Sequence, residues 1–478
     1  MDSTTRPTRA RYQVLMFLGS LTFILYLDRV CIAKAEISIR EDLGLSKSQM
    51  GYVFGAFTFA YGLFEVATGR WGDRFGSRGV LTRIVVWWSV FTALTGCVWR
   101  FSLGSGHHWE IGNWHFSAAT ICNSFVLLML VRFLFGAGEA GALPNTVRVI
   151  ARWIPVEERG WSQGIILTCM QLGAVVSPVA ATYLIDAFGW RATFAIFGSL
   201  GIVWGALFYR WFRDDPAQHP AVNEAERLLI SQGTTCESHA AGGGVDHPPI
   251  PWKLVLASPN VWLLGLIISA SSFASYMYMF WLPTYLIQGR GVDKDDAGWL
   301  AALALGGGAV GALCGGPLSS HVVRWTGERV WSRRMLGFTL ISLAGIFLGA
   351  SVFIDSPVAA SACISVACFF GYAQQSNWWG AVIDVSGKHL GALFGLMNSM
   401  GVPGAFFSPI FLGHFADYRK SVGFTGRDQW DPAFFLYAGV LLFGATLWLF
   451  VNPTKSAVEM PTHDLDHNSD DPPRYDSD

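Results

Sequence analysis

Charge is what this sequence has least of. Only 14% of its 478 residues are Asp, Glu, Lys or Arg, where a soluble chain carries about 25%. That scarcity, with 52% hydrophobic residues, excludes an ordinary soluble domain and implies an integral membrane protein. A net charge of −1 gives no basic footprint for nucleic acid. The eight cysteines, at 31, 97, 122, 169, 236, 314, 363 and 368, include no CxxC pair, which excludes a secreted disulfide framework. Cys97 and Cys122 flank one loop, but the spacing favours reading all eight as small apolar residues. No cleavable leader is recognisable, because the first apolar run is too long and contains Asp28-Arg29. His, Cys and carboxylates form no nucleophile, base or metal set of the kind an enzyme needs. In the loop from Arg100 to Ser117, His107, His108, His115 and Glu110 fall short of a ligand set, so a polar external loop is expected there and no metal.

What is present is a series of apolar segments long enough to cross about 30 Å of hydrocarbon. They lie near 13–34, 50–69, 80–99, 118–141, 161–185, 190–212, 260–287, 297–317, 335–354, 357–381, 390–415 and 431–452. A polar stretch separates the sixth from the seventh. The expected organisation is a cytoplasmic N-terminus (1–12), a six-helix bundle (13–212), a cytoplasmic linker (213–259), a second six-helix bundle (260–452) and a disordered tail (453–478). The fold class is therefore all-α integral membrane, twelve helices in two pseudo-symmetric six-helix bundles. Most of the 33 Lys and Arg fall on the side of the two termini, which supports a cytoplasmic location for both ends. No external loop carries a glycosylation sequon, which favours a bacterial inner membrane. Within the linker, 223–230 shows a short helical pattern, read as a spacer.

Charges inside the spans need a reason, since each costs at least about 2.5–3.5 kcal/mol at the bilayer centre. The fourth span holds Arg132 and Glu139, seven residues apart. That step puts them on one helix face about 10 Å apart. Gly136, Gly138 and Gly141 remove bulk beside them, so a helix or a ligand can approach. The first span holds Asp28 and Arg29, which point about 100° apart and must each face a different partner. Two acids and two arginines balance; an added carboxylate leaves an excess negative charge that protons can neutralise. This logic points to coupled binding of an anion and protons.

The turn Gly69-Arg-Trp-Gly-Asp73-Arg74-Phe-Gly76-Ser-Arg78 resembles the signature loop of the major facilitator superfamily. The resemblance implies that Gly69, Asp73, Arg74 and Arg78 form a conformational latch. A narrower pattern is Tyr26-x-Asp28-Arg29, Ala60-Tyr61, Arg132-Phe-Leu-Phe-Gly-x-Gly-Glu139-Ala with Pro144-Asn145, and Glu158-Arg159-Gly160. It resembles the anion:cation symporter family, which includes galactonate, glucarate and hexuronate uptake systems, and it covers essentially the whole chain. Position by position, the resemblance implies that Arg29 holds the substrate carboxylate, beside Tyr26. Asp28 and Glu139 would be the protonatable pair and Arg132 would charge-couple to one of them. Tyr61, Gln171 and Asn398 would bond substrate hydroxyls, and Ser376 and Trp379 would line the cavity, with Trp378 where a smaller residue is common. Glu65 stands where Gln is frequent, either a latch contact, the preferred reading, or a third titrating group. Ser320 replaces the usual Asp of the second-half latch, so a weaker latch is expected there.

These expectations amount to a proton-coupled importer of a hydroxylated sugar acid by alternating access. It would have no cofactor beyond the proton, a small carboxylate and the lipid bilayer as partners, and would act as a monomer in the cell membrane. The rival readings are a facilitator, antiporter or sodium-coupled carrier of another carboxylate, and a non-transporting sensor or enzyme. Neither linker nor tail holds a signalling domain.

Overall fold

The computed structural model describes residues 6–101, 108–111, 114–117, 123–231, 252–386 and 390–454; the side chains at 66–67, 69–75, 108–111, 114–117, 156–157, 160 and 390–392 also lie outside the description. In a bilayer every backbone N–H and C=O must be paired within the chain, so long apolar runs form helices. The first half comprises α1 (Ala10–Leu43), α2 (Lys47–Phe75), α3 (Ser77–Gly96), α4 (Ser124–Glu139), α5 (Ala142–Trp153) and α6 (Val156–Trp211). Gly189, at φ 78° and ψ 162°, breaks α6 into two legs. Between the halves lie α7 (Glu224–Ser231) and α8 (Trp252–Ala257). The second half comprises α9 (Pro259–Gln288), α10 (Lys294–Thr326), α11 (Arg329–Ala350), α12 (Pro357–Ser386), α13 (Leu390–Ser399), α14 (Val402–Ser421) and α15 (Arg427–Trp448).

Among the described residues nine helical stretches are long and apolar enough to cross a membrane. One of them is the two-legged α6, and α2 and the α13–α14 pair account for the other expected segments. Large apolar side chains such as Met16, Tyr183, Leu207 and Phe443 are left exposed on the perimeter, as a lipid-facing surface requires.

Three details depart from the sequence expectation. The fourth segment starts as a helix only at Ser124, where the Asn123 carboxamide accepts a hydrogen bond from the Val126 amide at 3.0 Å; such a side chain supplies a helix N-cap. The expected polar loop after α3 contains a hairpin, β1 (His108–Ile111) paired antiparallel with β2 (Trp114–Ser117). The linker helix α7 is more than a spacer. Its Glu226, fully buried, accepts from the backbone amides of Arg9 and Arg11 at 3.0 and 3.2 Å and from the Arg11 guanidinium at 2.9 Å. Arg11 also reaches Glu158 at 3.0 Å, so linker, first helix and α6 are tied together at the end of the molecule where the chain starts. Cys97 is free, and Cys122 lies outside the described residues.

The halves meet along α2 with α14, α6 with α10, and α1 with α9. Among the described residues, and apart from Gln171 beside Tyr372, their polar contacts gather at the end away from the termini. The Asp417 carboxylate accepts from the Ser48 amide and hydroxyl, both at 2.7 Å. Thr284 donates to Glu36 at 2.8 Å, and Lys34 donates to the Lys294 carbonyl. At Gly51 a Cβ would stand 2.6 Å from the Pro409 carbonyl oxygen, so the backbones there nearly touch. The described cross-half hydrogen bonds thus close one end, an inward-facing arrangement if the termini are cytoplasmic.

Hydrogen bonds to a charged group contribute roughly 1.5–3 kcal/mol each, so Asp417→Ala should shift the closed end toward opening by about tenfold or more. Nitroxide labels at exposed Phe188 and Phe353, one on each half at that end, should then show a longer distance population in double electron–electron resonance. An unchanged distribution would mean that Asp417 does not hold the end shut.

Candidate functional site

The site is built around α1, whose backbone is pinned where it carries the charges. Ser177 of α6 donates to the Leu27 carbonyl at 2.7 Å, and the Cys31 thiol donates to that of Asp28 at 3.2 Å. Asp28 and Arg29 are buried, at 0% and 4% exposure, and diverge as their adjacency requires. Asp28 turns toward α3, where the Thr92 hydroxyl donates to it at 3.5 Å. Arg29 turns toward α4 and α2.

Glu139 is the last residue of α4; the chain then turns through Gly141, at φ 87°, before α5 begins. The helix stops where the acid is needed. The Arg29 Nε donates to Glu139 Oε1 at 2.9 Å, and its Nη2 also reaches that oxygen. Around the Arg29 guanidinium stand the rings of Tyr26, Phe57 and Tyr61, at 4.7, 5.0 and 4.9 Å from their centroids. Tyr26 also accepts a hydrogen bond from it at 3.4 Å. Such contacts are worth more once water is removed.

Arg132, one face with Glu139 on α4, is fully buried, yet none of its three guanidinium nitrogens has a hydrogen-bond partner among the described residues. It lies over the rings of Phe135 and Phe57, at 4.2 and 5.5 Å. Asp28 Oδ1 and Glu139 Oε2 are likewise buried without a partner. The expected coupling of Arg132 to an acid is therefore electrostatic here, with the direct ion pair running from Arg29 to Glu139. Unsatisfied buried charge is expensive, and its concentration at one place makes this group the candidate functional site.

The small residues of α4 serve helix packing. A Cβ at Gly136 would stand 2.3 Å from the Phe57 carbonyl oxygen, so α2 presses against α4 and brings Tyr61 to Arg29. From α6, Gln171 is buried, its Oε1 has no partner among the described residues, and it stands beside Tyr372 of α12. Trp379 is half-buried, packs edge-on against Phe394 at 5.8 Å, and its buried Nε1 has no partner among the described residues. Trp378 is structural, donating to the Leu264 carbonyl at 2.8 Å. Ser376 and Asn398 are half-buried on α12 and at the end of α13. No hydrogen bond of either side chain joins it to the charged group among the described residues.

Sequence reasoning missed Tyr276 of α9, which stands within the electrostatic reach of Arg29. It also missed Gln374 of α12, fully buried with both amide atoms unpartnered among the described residues. Glu65, read from the sequence as a latch contact or a third titrating group, accepts from the Tyr61 hydroxyl at 3.4 Å; the latch side chains at 69–75 lie outside the described residues.

Of the latch residues, Gly69, Asp73 and Arg74 lie in the last turns of α2, with side chains outside the described residues. Arg78 donates to the Tyr209 carbonyl at 2.8 Å, and Asp214 caps α3 by accepting from the Ser77 and Arg78 amides at 2.7 and 3.0 Å. In the second half, Ser320 is exposed, but its neighbour Ser319 accepts from Arg333 at 2.7 Å. Arg333 also pairs with Asp384 at 3.2 Å. A polar tie is thus present one residue away from the expected place.

Removing one member of a buried ion pair costs about 3–5 kcal/mol, because the other is left charged and unpaired. Arg29→Ala should therefore lower the melting temperature of the purified protein more than Arg29→Ala combined with Glu139→Ala does. Strictly additive shifts would show that the two are not coupled.

Comparison with known proteins agrees with this architecture. Residues 18–409 match the Major Facilitator Superfamily. The chain is 30% identical to a probable sulfoacetate transporter of Cupriavidus necator, over 93% of this chain and 94% of that one. It is 29% identical to a probable galactarate/D-glucarate transporter of Bacillus subtilis, over 95% and 94%. Among solved structures, a bacterial homologue of the lysosomal transporter Spinster in an inward-facing, occupied conformation superposes with a TM-score of 0.69 at 18% identity, covering 93% of this chain and 97% of that one. These relatives are membrane transporters and none is an enzyme. The chain belongs to the Major Facilitator Superfamily, among its anion transporters.

Proposed function

We propose that this transporter is a proton-coupled symporter that imports an organic anion, a hydroxylated sugar acid such as a hexonate, hexarate or hexuronate. The observation that carries the proposal is the Arg29–Glu139 pair with Arg132 beside it, whose guanidinium has no hydrogen-bond partner among the described residues. Arg29 is engaged by an acid that a substrate carboxylate can replace. When it does, Glu139 loses its counter-charge in a low-dielectric site and takes a proton. Anion binding and proton binding therefore favour each other. A planar guanidinium suits carboxylate recognition. In this reading Tyr26, Tyr61, Gln171, Ser376, Trp379 and Asn398 contact the rest of the substrate; the unpartnered polar atoms of Gln171 and Trp379 support that role.

The named relatives support an anion as cargo. The two halves alternate access by breaking the cross-half seal, with Asp73, Arg74, Gly69 and Arg78 as the latch of the opposite end. The protein works as a monomer in the cell membrane of a bacterium, both termini cytoplasmic.

In reconstituted vesicles, an inward proton gradient should drive accumulation of galactonate, glucarate or glucuronate. Uptake of all three that ignores the gradient would remove proton coupling. Sulfoacetate in place of the sugar acids would point to a shorter anion. Glu139→Gln should abolish gradient-driven accumulation while sparing substrate exchange, and loss of both would make Glu139 structural. Arg29→Ala should abolish binding, measured as loss of substrate-induced thermal stabilisation; retained stabilisation would remove Arg29 from the substrate site.

A further inference from the structure

One aromatic side chain of the second half reaches the central site and has so far been given no part in it. Tyr372 of α12 is half-buried, stands beside Gln171 of α6, and lies within the electrostatic reach of Tyr26 and Tyr276. Tyr26 in turn carries its ring to the Arg29 guanidinium. Along α12, Tyr372, Ser376 and Trp379 follow one another at steps of four and three residues, which places them on one face of the helix. α12 runs from the sealed end at Pro357 toward the end of the termini at Ser386. Trp379 is therefore nearest the open end, and Tyr372 is the deepest of the three.

Behind Tyr372 the second half is not fully packed. A cavity of about 20 Å³, room for one water, lies among α9, α11, α12 and α15, and Ser271, Ser275, Tyr278, Cys368 and Tyr372 itself line it. The Tyr278 hydroxyl is buried with no hydrogen-bond partner among the described residues. On α9, Tyr276 belongs to the Arg29 side, whereas Ser275 and Tyr278 belong to the cavity. The Tyr372 ring lies against α10, where a Cβ at Gly308 would stand 2.6 Å from its Cδ2. The ring thus has the central site on one side and the cavity on the other.

We infer that Tyr372 sets the length of the anion this transporter accepts, as the far wall of the site in which Arg29 holds the carboxylate. The inference rests on the proposed sugar-acid cargo and is independent of its proton coupling. A chain held by its carboxylate at Arg29 extends its hydroxylated carbons toward the face of α12 that Ser376 and Tyr372 share, and ends at the Tyr372 ring. One carbon too many in a tight pocket costs about 10–200-fold. Shortening Tyr372 would join the cavity to the site, giving a longer chain both space and the hydroxyls of Ser271, Ser275 and Tyr278.

The experiment is exchange of radiolabelled D-galactonate in vesicles holding the full-length protein, without a pH gradient, competed by unlabelled galactonate and by the longer aldonate glucoheptonate. In wild type, glucoheptonate should compete about tenfold or more weakly than galactonate. Tyr372→Ala should bring the two to parity, whatever it does to the rate, and Tyr372→Phe, which keeps the ring, should keep the wild-type preference. An unmoved preference in Tyr372→Ala, parity already in wild type, or a preference lost in Tyr372→Phe overturns the wall. Should Tyr372→Ala fail to fold, Tyr372→Leu, which also shortens the side chain, decides in its place. Wild type that exchanges no galactonate overturns the sugar-acid reading and this inference together, whereas galactonate exchange with an unmoved preference overturns the wall alone.

Discussion

The ion pair between Arg29 and Glu139 is the interaction on which the rest of the structure depends. A guanidinium and a carboxylate inside an apolar bundle stay charged only if each has the other within reach, because their desolvation is repaid by mutual attraction and hydrogen bonds alone. That demand fixes where α4 ends, how closely α2 approaches it at Gly136, and how α6 pins α1 at Leu27. The pair is also incomplete. Among the described residues it leaves the Arg132 guanidinium, one oxygen of Asp28 and one of Glu139 without hydrogen-bond partners.

A transporter must hold such a site while opening first one way and then the other, and the distribution of contacts shows how. Polar ties within the halves are buried or reinforced: Arg11 with Glu158 and Glu226, Asp214 on the start of α3, Arg333 with Asp384. Among the described residues, those between the halves include Asp417, Glu36 and Lys34 at one end, each donating to or accepting from a neutral or backbone partner.

Much of this was legible in the chain. The scarcity of charge and the spacing of apolar runs determined a multi-helix membrane protein, because a bilayer leaves a backbone few other options. The same scarcity made Asp28, Arg29, Arg132 and Glu139 conspicuous, and the turn from Gly69 to Arg78 pointed to the family. The resemblance implied Trp379 rather than Trp378 for the cavity; the structure gives Trp378 a buried carbonyl partner.

What the sequence left open were the partnerships, since these join residues far apart in the chain. Nothing along the sequence tells whether Glu139 takes Arg29 or Arg132, that Glu65 meets Tyr61, or that Glu226 of the linker closes on the first helix. Periodicity reports which face of a helix a side chain occupies, while the neighbour on that face is set by how the helices of both halves pack. The sequence by itself determined the class of protein, its family and which charges stand inside the spans; the tertiary structure alone decided which of those charges meet, because ion-pair energy depends on a few ångströms of separation that only packing defines.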